Sequence, residues 1–134
     1  MTPIVIGIST ALLQITLFEI FKHFKKNSVY ALTLSGIGFL YVGFTWMHTP
    51  TVIITSIQAI VFLLIAYYGL VKYPYILAAG YFLHGLWDLV YTFCLNTALL
   101  PPHYDWFCSS LDFTVGIYLI LKVIDKKKLN VQTS

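Results

Sequence analysis

Five apolar stretches, each about 20 residues long and so able to cross a bilayer's hydrocarbon as a helix, follow one another with only short breaks between them. This feature leaves the chain few alternatives. In lipid every backbone N–H and C=O must be paired within the protein, which a helix achieves within a single segment. The stretches run near 2–21, 29–47, 51–71, 75–95 and 106–124. Pro50, Pro74 and the pair Pro101, Pro102 fall in or beside the breaks, where a helix must stop or start. The expected fold is all-α: a polytopic bundle of five transmembrane helices forming one domain over 1–124, followed by a flexible lysine-rich tail, 125–134. With 59% hydrophobic and 10% charged residues, the chain lies outside the range of water-soluble domains.

All eight basic residues are lysines. Lys22, Lys25 and Lys26 follow the first stretch, Lys72 the third, and Lys122 with Lys126 to Lys128 lie at the end of the fifth. The positive-inside rule then places the amino terminus outside and the carboxyl terminus in the cytoplasm. No basic patch calls for nucleic acid. The opening stretch has no basic segment before it and its lysines come after it, the reverse of a cleavable signal, so it is expected to remain as the first span. Trp46, Trp106 and several tyrosines near the span ends suit the interfacial belts. Cys94 and Cys108 flank the last external loop, and either a disulfide or two packed thiols fits that placement.

Three of the five acidic residues, Glu19, Asp88 and Asp112, fall inside apolar stretches, although an ionised carboxylate there costs several kcal/mol. Glu19 is close to Lys22, so a pairing at the cytoplasmic interface accounts for it. Asp88 and Asp112 are different. At 1.5 Å per residue each lies about 9 to 11 Å below the outer boundary of its span. The short loop between those spans makes them antiparallel neighbours, and two carboxyls so placed tend to share a proton. Tyr81, His84, Asp88 and Tyr91 recur at spacings of three and four, one stripe on one helical face, with Trp87 at its border. Cys108, Asp112 and Gly116 form a facing stripe on the fifth span, where Gly116 offers room for close helix approach. Gln58 is level with the aspartates and Gln14 with His84, so the expected site is a polar chamber in the outer half of the membrane. Thr45, Trp46, His48, His103, Tyr104 and Asp105 are candidates for its mouth.

Several kinds of chemistry fit this set. In an acid–base reading His84 is the titrating group, Asp88 or Asp112 its orienting or proton-sharing partner, and Tyr91 or Cys108 a secondary donor; Gln14, Gln58, Tyr81, Trp87, Cys108 and Trp46 then contact a lipid-like small molecule arriving from the bilayer. In a transport reading the same carboxyls carry a proton or cation, and a homodimer supplies the enclosure that five spans lack. In a structural reading the groups satisfy one another as interhelical contacts worth about 0.6 to 2 kcal/mol each, and the protein is an accessory membrane subunit. A metal on His84, Asp88, Asp112 and Cys108 has suitable spacing, but only one histidine lies deep in the cluster, so neither metal nor cofactor is assigned. No P-loop, dinucleotide glycine fingerprint, zinc-protease motif or nucleophile elbow occurs in the chain, and Ser109 and Ser110 read as helix-start or packing residues.

His84, Trp87 and Asp88 within one span resemble, at the level of roles, the membrane isomerases of the emopamil-binding type, which hold a histidine, acids and a tryptophan in a helical cavity. The run His84-Gly85-Leu86-Trp87-Asp88 also gives the chain the look of small multi-pass proteins of bacterial membranes. That second resemblance implies residence in a bacterial inner membrane and supplies no activity.

Overall fold

The computed structural model of the chain describes residues 2–21, 23, 25–94 and 100–133. Among them there are helices and no strands: α1 (Thr2–Ile20), α2 (Lys26–Thr45), α3 (Thr49–Val71), α4 (Pro74–Cys94) and α5 (Tyr104–Thr133). The helix starts have local causes. Pro50 sits in the first turn of α3 and Pro74 opens α4, where the missing N–H costs nothing and the fixed φ is already helical. Ahead of α5 the chain turns through Pro101, Pro102 and His103, whose φ of 60° makes it the one left-handed non-glycine residue among those described.

By length and composition α1, α2, α3 and α5 are long and apolar enough to span a membrane. With 21 residues α4 is long enough as well, and His84 and Asp88 within it lower its mean hydropathy. The distribution of side chains is that of a protein solvated by hydrocarbon. Leu13, Leu32, Ile57 and Phe93 stand on the surface, while the wholly buried side chains include Tyr41, Tyr91, Thr45, Thr55, His84, Asp88 and Asp112. A water-exposed apolar surface of that extent would drive aggregation. Thr10 and Thr16, at the surface of α1, turn their hydroxyls back to the carbonyls of Ile6 and Leu12 at 2.7 and 2.8 Å, so no donor is left facing outward.

Packing follows the order of the chain, except that α1 lies mainly against α5 rather than α2. Gly7 makes that contact close: a Cβ there would fall 2.0 Å from Ser110 Oγ and 2.4 Å from the Phe107 carbonyl oxygen. At the lysine-bearing end Glu19 accepts hydrogen bonds from Lys26, Lys122 and Tyr118, tying α1, α2 and α5 together. Lys22, the expected partner of Glu19, lies outside the described residues. The core has two parts. Toward the lysine end Tyr30, Leu34, Ala66, Leu77, Tyr81 and Val115 pack as one apolar body; toward the other end Tyr41, Tyr91 and Leu100 pack with Phe44, Trp87 and Tyr104.

Residues 125–133, expected as a flexible tail, are helical and form the last turns of α5. Asp125, the lysines and Leu129 tolerate or favour helix, no Gly or Pro interrupts them, and Asp125 precedes Lys128 at the spacing that pairs charges along a helix.

Candidate functional site

The polar cluster lies between the two parts of the core. Within α4, His84 and Asp88 are one turn apart and face α5, from which Cys108 and Asp112, again one turn apart, face back; all four are buried. Ser109 pins the two helices in this register by donating to the Gly85 carbonyl at 3.0 Å. The space at Gly116, the position expected to allow close helix approach, is filled by the Phe82 ring of α4, 3.1 Å from where a Cβ would be.

His84 Nδ1 is 2.7 Å from Asp112 Oδ2 and 3.5 Å from Asp88 Oδ2. The first is a hydrogen bond; the second is too long for a strong one. The near partner of the imidazole is thus the aspartate of the neighbouring helix. The imidazole sits between the Phe62 ring, 4.6 Å between centroids and edge-on, and the Tyr41 ring at 6.1 Å. Cys108 Sγ points at Asp112 Oδ2 from 3.7 Å.

Tyr41 of α2 is the member that sequence reasoning missed. Its hydroxyl donates to Asp88 Oδ1 at 2.5 Å, and its ring is wholly buried. A signal existed: Tyr41 lies about 9 Å from the end of its expected span at 47 and so nearly level with Asp88. Reading the tyrosines as interfacial anchors hid it. Above it Thr45 donates to the Tyr41 carbonyl and meets Thr55 Oγ1 at 2.8 Å. Replacing Tyr41 by Phe strands Asp88 Oδ1, and thermal unfolding in detergent is expected to show a loss of about 1 to 2 kcal/mol. An unchanged midpoint would mean that water or a rotated neighbour takes its place.

The remaining candidates divide. Gln58 is 5% exposed and neither of its amide atoms has a partner among the described residues; it precedes Phe62 by one turn and so shares the face of α3 that meets His84. Tyr91 packs on Tyr41 at 5.1 Å between rings with its hydroxyl unpaired, and the buried indole N–H of half-buried Trp87 is likewise unpaired. Tyr81 is drawn elsewhere, donating to the Tyr30 carbonyl at 2.7 Å within the apolar core. Gln14 reaches Thr33 of α2 at 3.4 Å and makes no hydrogen bond to the cluster. Trp46 is 69% exposed at the end of α2, away from it. The cysteines are free: Cys94 is exposed while Cys108 is turned inward.

Two crevices lie at the end away from the lysines. One of about 840 Å³ is mostly apolar and lined by Ile4, Ile6, Pro101, Tyr104, Trp106 and Phe107 among others. Tyr104 joins it to the cluster, its ring 5.9 Å from that of Tyr41. A smaller one of about 220 Å³ is lined by Thr92, His103 and Asp105. Thr92 donates to the Asp88 carbonyl at 2.9 Å and also to the Asp105 carboxylate. Of the residues expected at a mouth, His103, Tyr104 and Asp105 line these crevices; Thr45 is buried above Tyr41, and His48 is bonded to Thr51 at 2.6 Å.

In chemical terms this is an imidazole held between two carboxylates with a phenol and a thiol beside them, closed off from solvent. Such a set can take up, hold and hand over a proton, or present oxygen, nitrogen and sulfur lone pairs to a cation. A family of unknown function, DUF6010, matches the chain over residues 2–124, and the chain belongs to that family. No curated protein and no solved structure matches it.

Proposed function

We propose that this member of DUF6010 crosses a bacterial plasma membrane five times, amino terminus outside and lysines in the cytoplasm. In this reading it binds or transforms a small lipophilic ligand by acid–base chemistry at His84, Asp112, Asp88 and Tyr41. One observation carries it. The cluster holds more polar atoms than it can satisfy: His84 Nε2, Asp88 Oδ2 and Asp112 Oδ1 are buried without a hydrogen-bond partner among the described residues. Each such atom costs about 1 to 3 kcal/mol, whereas polar contacts that only fasten helices are favoured when both ends are paired. His84 then exchanges the proton, Asp112 orients the imidazole through Nδ1, and Tyr41 fixes Asp88. The apolar crevice lined by Tyr104 and Phe107 offers room for a lipophilic ligand.

A second reading, proton- or cation-coupled transport, is favoured by the small crevice, where the Asp105 carboxylate accepts from Thr92, one helical turn along α4 from Asp88. Both readings are tested together by purification in mild detergent, mass spectrometry of co-purified lipids, and flux measurements in liposomes. A stoichiometric lipophilic molecule without flux is the expected result. Flux without a retained molecule replaces the first reading by the second, and neither result leaves an accessory subunit.

A further inference from the structure

An imidazole, a thiol and two carboxylates converge in the apolar interior, and hydrogen bonding does not exhaust them. One donor atom from each of His84, Asp88, Cys108 and Asp112 lies within 4.8 Å of all the others. The measured separations are 2.7 Å from His84 Nδ1 to Asp112 Oδ2, 3.5 Å to Asp88 Oδ2, and 3.7 Å from Cys108 Sγ to Asp112 Oδ2. A tetrahedral ion with bonds of about 2.0 to 2.3 Å spaces its donors about 3.3 to 3.8 Å apart. The separations in this set, from 2.7 Å to at most 4.8 Å, bracket that range.

The spacing along the chain points the same way. Each helix contributes two donors at i and i+4, His84 with Asp88 and Cys108 with Asp112, the arrangement by which helices turn a pair of ligands toward one ion. Charge supports it too. Two carboxylates in an apolar interior carry a large desolvation cost, which a divalent cation between them cancels. A separate observation comes from α3, which belongs to neither ligand pair. Gln58, 5% exposed and unpartnered at both amide atoms, sits one turn from the Phe62 ring that packs on His84. Its free amide is suited to a supporting contact with the ligands.

We infer that His84, Asp88, Cys108 and Asp112 form a buried binding site for a divalent transition metal ion of the zinc class. The nitrogen and sulfur donors argue against magnesium or calcium, which take all-oxygen shells. The inference rests on the reading of this cluster as a ligand site, though not on its acid–base use, because a metal held there takes the place of the shared protons.

The test uses the full chain in detergent, stripped with a chelator and titrated with Co²⁺. One equivalent is expected to bind, with the visible bands of tetrahedral cobalt and a near-ultraviolet thiolate-to-cobalt band. Cys108→Ser removes the thiolate band while tetrahedral binding persists. Asp112→Asn, confirmed as helical by circular dichroism, weakens binding by about 100-fold or more, beyond the effect of losing an outer-shell partner. His48→Ala, outside the cluster, changes nothing. Failure to bind cobalt, or bands indifferent to Cys108→Ser and Asp112→Asn, overturns the metal site. If a lipophilic molecule still co-purifies in that case, the acid–base reading stands without the metal; if neither binds, the cluster is not a ligand site.

Discussion

Asp112→Asn protein reaches the membrane folded and without its function. Asparagine keeps the size of aspartate and a carbonyl oxygen that can face His84 Nδ1, so the packing of α4 on α5 survives. Within a membrane such a polar contact is worth about 0.6 to 2 kcal/mol, too little to undo helices packed along most of their length. The negative charge 2.7 Å from Nδ1 that orients the imidazole is lost, however. Retention of the co-purified molecule, or its turnover once identified, is expected to fall by about 100-fold or more, the range general acid–base groups contribute. Size-exclusion chromatography and circular dichroism read the fold in the same preparation. Aggregated protein would mean that the pair serves structure, and a folded, fully active variant would remove Asp112 from the site. Asp88→Asn should have a smaller effect, because Tyr41 still holds Oδ1 and the imidazole is 3.5 Å away.

Gly69→Ala is expected to be strongly destabilising. A Cβ at Gly69 would stand 2.7 Å from Leu77 N and 2.9 Å from Leu77 Cα, and backbone atoms cannot rotate away. Only Lys72 and Tyr73 separate α3 from α4, so the two helices cannot slide apart without unwinding a turn. Overpacking of this kind costs about 1 to 3 kcal/mol and occasionally more; about 3 kcal/mol is expected here, read as a fall in the thermal midpoint in detergent. Gly36→Ala and Gly43→Ala are the controls. Nothing stands within 4 Å of a Cβ at either position, so both should be neutral or gain up to about 1 kcal/mol from helix propensity. Comparable losses at all three positions would show that backbone contact at Leu77 is not the cause.

The helices were legible because two independent signals, apolar length and proline placement, agree at Pro50, Pro74 and Pro101. Asp88 and Asp112 could be paired because a short loop fixes their helices side by side, which makes depth counting meaningful. That reasoning does not reach across the bundle. Tyr41 meets Asp88 through the packing of α2 on α4, helices not adjacent in the chain, and the sequence carries no ruler for such a contact. Tyr81 shares the stripe of His84 by spacing, yet one turn lower the opposing surface is the α2 backbone, and its hydroxyl goes to the Tyr30 carbonyl. A stripe shows which way side chains point, but not what waits for them there. The same limit applies to His84. Spacing favours Asp88, its neighbour in the helix, and only the placement of α5 makes Asp112 the nearer partner.

The placement of α1 bears on how the molecule is made. Its close partner, through Gly7 and Ser110, is α5, which is synthesised after α2, α3 and α4. The main contact surface of α1 therefore stays uncovered while those three helices are made. Locking of α1 waits for α5, and chains truncated before α5 are left with an unclaimed helix for quality-control proteases to find.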